Sequence, residues 1–486
     1  MIAFTPDIFE KIGYGIKSTA QLVQLSYGPK GKNIAFKPVN DVPYILSNAD
    51  VLIKNLNFED HLENVGYQII KQVMDKTYQT AGDGSGAAAI LTAAIWENGI
   101  RNISAGNSPS ELARGIRKAA LLAADSLNKQ AIFSSDSDTV YYLAKTACKG
   151  RDDLAKIVRD IFDQIGINGY IHVSDSQLCE TVININHGIR WEQGFSSYED
   201  KAFTLTNPLV LIINKDITDV RILFPAFTEA KEKDRDLLII CKDLNDDVRQ
   251  AINYLRTNGG INVIPVCAPG HGEVRDSVLR DFGVIFFAKV YDDLILNAEG
   301  ITASGLGVTS KAVISRKETV LTGAPNAGDS SIQKRRISLF SQLAECKNED
   351  ERYRIESMLL PISENTAEIL VGGTMEMEMF EKKYLLDHAV RSVFSGLRNG
   401  YLPGGAKGFL AGSDAIEKSI EEFSDEEQLG AKIMAEALKS PIKHLSIEEA
   451  DEDLIGVFDS LESVKTAVLA SASAASEAIT LAASIT

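Results

Sequence analysis

Residues 80–86 read Thr-Ala-Gly-Asp-Gly-Ser-Gly and lead directly into an alanine-rich helical run over residues 87–100. Glycines allow a ligand to approach the backbone closely, and the unpaired N–H groups at the start of a helix favour a phosphate. Asp83 in this loop can hold a magnesium ion. The pattern predicts a phosphate-binding loop, although a plain glycine-rich turn has the same signature. A dinucleotide fingerprint is excluded, because that motif follows a strand and this loop follows a helical segment.

A second breaker segment, Gly28-Pro29-Lys30-Gly31-Lys32, ends the helical pattern that follows Pro6. It lacks the GxxxxGK[ST] spacing of a P-loop, and by itself it indicates a turn rather than a phosphate clamp. The elements expected next are short strands at 33–38 and 42–47 and helices at about 60–78 and 108–129.

Composition narrows the class of protein. The chain has 486 residues, of which 45% are hydrophobic and 24% charged, as in globular proteins of two to four domains. A net charge of -17 argues against nucleic acid or an anionic membrane as a main partner. The five cysteines form no CxxC pair, which indicates reduced thiols. The sequence shows neither a signal-peptide pattern nor a stretch of about 20 apolar residues, so we expect a cytoplasmic protein.

The pattern of predicted secondary structure changes twice along the chain. Strand-like apolar runs alternate with amphipathic helices between about residues 188 and 360, which is an α/β pattern. Both flanks are helical, and the alanine- and serine-rich run 464–484 continues the helical pattern to the end. This order is expected of a chain that leaves a helical domain, builds an α/β domain and returns.

Several segments resemble, in order, motifs of the group I chaperonin family that includes GroEL. The resemblance covers nearly the whole chain. The matching segments are YGPKGKN at 27–33, FEDHLENVG at 58–66, AGDG at 81–84, AGNSP at 105–109, CAPGHGE at 267–273, VGGT through EKK at 371–383 and YLPGGA at 401–406.

The resemblance implies a multidomain α/β and α chaperonin fold with three kinds of domain. A helical equatorial domain is expected at residues 1–131 and 400–486. A small α+β intermediate domain is expected at 132–187 and 366–399, and an α/β apical, client-binding domain at 188–365. The implied protein is a molecular chaperone that forms a ring of seven copies, binds non-native polypeptides and works with a GroES-like co-chaperonin.

The resemblance also implies ATP or ADP as the ligand, with Mg2+ and K+ as cations. Asp83 matches the family aspartate that holds magnesium, and Asp459 matches the aspartate near the ribose. The segment 446–454 is shorter than the family segment that forms the adenine pocket, which puts the base contact in doubt. The implied nucleotide-binding residues are Tyr27, Gly28, Pro29, Asp83, Gly84, Ser85, Gly86, Gly404, Gly405 and Asp459.

The sequence departs from the family at two of the three aspartates that carry out hydrolysis. Ungapped counting places Asn48 and His388 at these positions and retains only Asp83. Asparagine cannot accept a proton, and His388 is either a structural residue or a base that acts near neutral pH. A shifted register would instead bring Asp387 to the site. We therefore expect ATP hydrolysis to be weak or lost.

In the apical domain the family binds clients between two helices. The side chains implied for this role are Phe195, Phe224, Phe227, Ile252 and Tyr254, although aromatic side chains in this pattern also serve as core residues. A different class of function, a holdase or assembly scaffold that does not depend on ATP turnover, is the alternative to a working chaperonin.

Overall fold

A computed structural model describes most of the chain, and it divides into two compact units. Unit 1 comprises residues 1–167, 173–182 and 369–486, and unit 2 comprises 168–172 and 183–368. The domain boundaries expected within these units stay predictions. The described residues are 2–4, 7–28, 31–36, 44–46, 53, 56–167, 169–176, 178–194, 202–258, 260–326, 328–346, 348–363, 365–445, 456–481 and 483–485.

The helices in chain order are α1 (Asp7–Ser26), α2 (His61–Ala81), α3 (Ser85–Ser104), α4 (Pro109–Gln130), α5 (Ser137–Ala147), α6 (Asp152–Ile165), α7 (Phe224–Glu232), α8 (Asp246–Asn258), α9 (Glu273–Phe286), α10 (Asp293–Ala298), α11 (Ser330–Glu345), α12 (Glu349–Leu359), α13 (Glu376–Asn399), α14 (Lys407–Lys418), α15 (Asp425–Leu438), α16 (Ser440–Leu445) and α17 (Leu461–Ala478).

The strands in chain order are β1 (Ile2–Phe4), β2 (Ile34–Phe36), β3 (Tyr44–Leu46), β4 (Tyr170–Asp175), β5 (Val182–His187), β6 (Ile189–Trp191), β7 (Phe203–Thr206), β8 (Leu209–Ile217), β9 (Leu237–Leu244), β10 (Val263–Cys267), β11 (Val290–Tyr291), β12 (Gly307–Val308), β13 (Lys311–Ile314), β14 (Thr319–Thr322), β15 (Asn365–Val371), β16 (Tyr401–Pro403), β17 (Phe458–Ser460) and β18 (Ala483–Ile485).

Glycines let the long helices of unit 1 approach each other at backbone distance. A Cβ placed on Gly66 of α2 would lie 2.1 Å from the carbonyl oxygen of Ile12 in α1, and one on Gly15 of α1 would lie 2.0 Å from that of Glu63. The packing of α4 on α15 uses Gly115 in the same way, since its Cβ would lie 2.2 Å from the Glu427 carbonyl oxygen. The apolar faces of these helices then form one core with α3 and α17.

Short strand pairs complete unit 1. The expected strands near residue 35 and residue 45 form the antiparallel pair β2–β3. The helical pattern expected over 464–484 ends early, because α17 stops at Ala478 and β18 pairs antiparallel with β1. That part of the expectation is wrong: a helix would leave the backbone groups of β1 without this strand partner.

Unit 2 has the expected α/β character. Strands β10, β9, β8 and β11 lie side by side and run parallel, with β12 antiparallel to β8. Both faces of this sheet are covered by buried apolar side chains, as a parallel sheet requires. A second, antiparallel sheet has the order β6-β14-β13-β7.

The glycine contact between α1 and α2 can be tested by substitution. We expect Gly66→Ala to lower the stability of unit 1 by about 1–3 kcal/mol, because the new methyl group forces two backbones apart. Gly412→Ala in α14 is the control, since its Cβ would lie 3.3 Å from the Ala123 side chain and 3.5 Å from Leu438. Thermal unfolding followed by circular dichroism measures both variants. Equal midpoints for Gly66→Ala and parent would contradict the close contact.

Candidate nucleotide-binding site

The loop between α2 and α3 depends on two glycines in the left-handed region. Gly82 has φ 74° and ends α2, with its N–H donating to the Tyr78 carbonyl at 2.8 Å. Gly84 has φ 87°, and its N–H donates to Asp83 Oδ1 at 2.7 Å. The N-cap residue of α3 is Gly84, which has no side chain to cap the first turn. The start of α3 therefore offers backbone donors to an anion.

Tyr27 and Gly28 lie against this loop and the neighbouring helices. A Cβ on Gly86 would lie 2.9 Å from Cδ2 of Tyr27, so the tyrosine ring packs directly on the loop. Gly28 has φ 73°, and its Cβ would lie 2.5 Å from Cδ2 of Leu445. The positive φ at residue 28 favours glycine, and a Cβ there would also displace the end of the Leu445 side chain.

The pair β16–β17 brings a third segment to the same place. Asp459 is the register partner of Leu402, and the amide of Ala406 donates a hydrogen bond to the Asp459 carboxyl group. The connecting turn contains Gly404, whose N–H donates to the Val457 carbonyl at 2.7 Å, and Gly405, which has φ 69°. The predicted residues of this segment thus share one turn.

A contact between the loop and α17 links these segments. A Cβ on Gly84 would lie 3.1 Å from both the Cβ and the carbonyl oxygen of Ser463, in the first turn of α17. Because β17 leads directly into α17, the glycine-rich loop and the Asp459 strand are held side by side.

The electrostatics of the site reflect this proximity. Burial raises the pKa of Asp459 to about 7, and the nearby Asp83 adds to the shift, whereas the hydrogen bond from Ala406 lowers it. Burial also raises the pKa of Tyr27, with further contributions from Asp459 and Asp83. The three side chains therefore lie within electrostatic reach of one another. A cation bound between them would stabilise the charged form of Asp459.

The donor set fits a magnesium nucleotide better than a resident metal. Across the described ranges, no group of three histidine, cysteine, aspartate or glutamate side chains could hold a metal ion. Mg2+ commonly binds through one or two carboxylates together with substrate phosphates and waters. Asp83 and the uncapped start of α3 fit that arrangement.

His388 lies in an aromatic cluster. Its side chain is buried, and its ring centroid is 4.2 Å from that of Tyr384 and 4.7 Å from that of Tyr78. The preceding residue, Asp387, accepts hydrogen bonds at Oδ2 from the Tyr78 hydroxyl at 2.8 Å and from Arg391 Nε at 3.0 Å. The aromatic contacts favour a structural role for His388.

Sequence reasoning did not identify Arg391 as part of the site. A Cβ on Gly82 would lie 2.2 Å from the Arg391 Cβ, and the guanidinium group lies 5.2 Å from the Tyr78 ring centroid. The arginine therefore joins α13 to the start of the glycine-rich loop. Its position one turn after Asp387 was the only sequence signal, and it is typical of an ordinary helix ion pair.

Two further residues near the site were not predicted. The Thr146 hydroxyl oxygen accepts the Phe458 N–H at 3.3 Å, next to Asp459. Lys149 has φ 53°, which is uncommon outside glycine, and its Nζ donates to the Ser26 carbonyl at 3.3 Å, next to Tyr27. Only the breaker after Lys149, Gly150, hinted at an unusual backbone there.

Three predicted site residues, Pro29, Asn48 and Phe195, lie outside the described residues. Of the other expected client-binding residues, Phe224 and Tyr254 are 51% and 68% exposed. Phe227 and Ile252 are 7% and 1% exposed and belong to the core below the sheet. The expectation that these two residues offer an apolar surface is corrected, because their side chains already pack inside unit 2.

In the part of the chain described here, no helix has the length and apolar character needed to cross a membrane.

Comparisons with known proteins show which solved structures and which protein family this chain resembles. The chain is similar to the chaperonin gp146 from the bacteriophage EL 2 (Pseudomonas aeruginosa), crystallised in the presence of ATP-BeFx. Crystal form I has a TM-score of 0.67 and 16% identity over 100% of this chain and 99% of that chain. Crystal form II has a TM-score of 0.59 and 17% identity over 99% and 98%.

The likeness to these structures shows a shared chaperonin fold over the full length of the chain. It agrees with the multidomain α/β and α class expected from the sequence. A sequence profile of the TCP-1/cpn60 chaperonin family matches residues 19–475. The chain therefore belongs to the TCP-1/cpn60 chaperonin family.

Proposed function

We propose that the protein is a ring-forming molecular chaperone of the cytoplasm that binds ATP or ADP with Mg2+ and captures non-native polypeptides, and that its ATP hydrolysis is weak. The observation that carries the nucleotide part is the convergence of Tyr27, Asp83 and Asp459 at the uncapped start of α3. The similar phage chaperonin was crystallised in the presence of ATP-BeFx, which supports a nucleotide as the ligand.

The residues divide the work of binding. The N–H groups at the start of α3 would receive a phosphate, since the N-cap residue Gly84 brings no side chain to this turn. Asp83 would hold Mg2+, and the bound ion would neutralise phosphate charge. Asp459 is half-buried and accepts a hydrogen bond from Ala406 in the turn at residues 404–406, and its carboxyl group would meet a ribose hydroxyl. Tyr27 would close the pocket against Gly86.

We expect weak hydrolysis because Asn48 and His388 occupy the positions at which the family has its other two aspartates. Asn48 cannot act as a base. The buried ring of His388 packs between two tyrosines, and Asp387 is held by Tyr78 and Arg391. Because His388 and Asp387 already make these contacts within the protein, slow ATP turnover is favoured. The same contacts support the alternative function of a holdase or scaffold.

The assembly and partners follow from the family. We propose a ring of seven copies and the five-segment division into equatorial, intermediate and apical domains given above. Phe224 and Tyr254 would then provide the apolar part of the client surface. Phe227 and Ile252 are buried, so that surface is more polar than expected. A GroES-like co-chaperonin would have to dock on the residues that remain exposed.

Binding of magnesium nucleotide depends on Asp83 in this proposal. We expect Asp83→Ala to abolish the magnesium-dependent part of ADP affinity, because the carboxylate that holds the ion is removed. Isothermal titration calorimetry with and without Mg2+ measures this part. Asp125→Ala, at an exposed position on α4, is the matched control and should bind like the parent. Equal magnesium dependence for Asp83→Ala and Asp125→Ala would exclude this site.

The raised pKa of Asp459 predicts a pH dependence of stability. The folded protein keeps a proton on Asp459 up to about pH 7, whereas the unfolded chain releases it near the ordinary value of 3.8. The free energy of unfolding should therefore fall as pH rises from 3.8 to about 7, by up to about 3 kcal/mol over two pH units within this window, and level off above it. Asp459→Asn cannot titrate and should lose less.

Thermal midpoints of parent and Asp459→Asn, measured without nucleotide across that window, provide the comparison. A parent whose midpoint falls no more than that of the variant would show that Asp459 is ionised throughout.

The hydrolysis proposal predicts a gain of function. We expect Asn48→Asp combined with His388→Asp to raise steady-state ATP turnover at least ~10-fold, or ~1.4 kcal/mol of barrier, and more than either single change. The two carboxylates act on one transition state, so their effects need not add. A parent that already hydrolyses ATP as fast as the double variant would refute the proposal and point to His388 or Asp387 as a working group.

A further inference from the structure

Two cysteines of unit 2 occupy matching positions on adjacent strands. Strands β9 and β10 run parallel, and their register pairs Cys241 with Cys267. The Ala268 N–H donates to the Cys241 carbonyl at 2.8 Å, which fixes this register at the last residue of β10. Residues paired in register on neighbouring strands project from the same face of a sheet. Cys241 shares that face with the buried Leu237 and Ile239.

The spacing of the two cysteines suits a disulfide bond. Neighbouring strands lie about 4.8 Å apart, and the Cα atoms of disulfide-bonded cysteines are usually about 4.4–6.8 Å apart. Two flat, in-register positions do not offer the preferred Cβ geometry, so a bond formed here would carry some strain. Strained disulfides are easily reduced and are typical of regulatory rather than structural bonds.

Access to the pair is unequal. Cys241 is buried, whereas Cys267 is half-buried at the end of its strand. Burial raises the pKa of both thiols and the nearby Asp243 raises it further, whereas Arg249 acts in the opposite direction. A reagent from solution therefore reaches Cys267 first, and Cys241 is the protected neighbour that can complete the reaction.

We propose that Cys241 and Cys267 form a reversible redox pair that is oxidised by a small-molecule disulfide. The Cys267 thiolate attacks one sulfur of that disulfide, forms a mixed disulfide and releases one small thiol. Cys241, whose burial keeps it in the thiol form, then gives up its proton as its Sγ attacks Sγ of Cys267, and the second small thiol is released. The two cysteines lose two protons and two electrons, and the small disulfide gains both as two thiols.

The bond closes a loop that contains a complete helix. Residues 241–267 include α8 and the exposed Tyr254, so oxidation ties the two ends of this segment together. The conformational freedom of the α8 segment should fall as a result. The redox pair rests on strand register alone, whereas its effect on captured clients rests on the proposed function.

The test uses the full-length protein and oxidised glutathione. After native incubation the protein is denatured, its remaining thiols are alkylated with N-ethylmaleimide, and trypsin cleaves after Lys242, Arg249 and Arg256, which places the two cysteines in separate peptides. We expect mass spectrometry to find these peptides joined, at a mass two hydrogens below their sum, and separated again by dithiothreitol.

Two variants make the assignment specific. Cys267→Ser should abolish the joined peptides, whereas Cys179→Ser, which removes an exposed cysteine of unit 1, should retain them. The proposal is overturned if the parent gives only mixed disulfides with glutathione. Peptide mapping of the parent decides this even if Cys267→Ser does not fold.

Hydrogen exchange tests the effect on α8. Amide exchange over residues 246–258 should be slower in the oxidised parent than in the reduced parent, with no such difference in Cys267→Ser. Equal exchange rates in the two redox states of the parent, with the disulfide present, would overturn the clamping of α8 while leaving the nucleotide-site proposal untouched.

Discussion

The close approach of α1 and α2 at Gly15 and Gly66 is the contact on which the candidate site depends. In each of these contacts a glycine of one helix faces the backbone of the other, where a Cβ would clash. These contacts fix α1 against α2, and Tyr27, directly after α1, packs on Gly86 in the first turn of α3, the helix that follows the loop after α2. A larger residue at either glycine would move one half of the site relative to the other.

The second constraint is the placement of the Asp459 carboxyl group close to that of Asp83. Burial and the nearby Asp83 raise the pKa of Asp459 to about 7, so without a cation Asp459 keeps a proton up to near neutral pH. Ionisable groups whose pKa is shifted at a cost to the stability of the folded protein occur chiefly at sites that bind a ligand. Asp387, by contrast, forms an ion pair with Arg391, so each of these two charges has a partner of opposite sign.

Motifs and the alternation of segment types were enough to predict the family and the fold class, because glycine loops at helix starts and strand-helix alternation depend on local chemistry. The residues named for the nucleotide site stay predictions. What escaped prediction depends on contacts between distant segments. The pairing of β1 with β18, the packing of Arg391 on Gly82 and the burial of Phe227 and Ile252 have no local signature. An aromatic or aliphatic residue on an amphipathic helix looks the same in sequence whether it faces the core or a partner.

The division of the chain has a consequence for its own biosynthesis. Unit 2 is formed almost entirely by residues 183–368, whereas unit 1 needs α17, which packs on α2, α3 and α4 from the other end of the sequence. A ribosome therefore releases a complete unit 2 while the apolar faces of the first helices still lack their last neighbour. Closing that long separation carries a loop-entropy cost that local helix contacts do not. For much of its synthesis, this chaperonin chain itself presents the kind of exposed apolar surface that chaperones recognise.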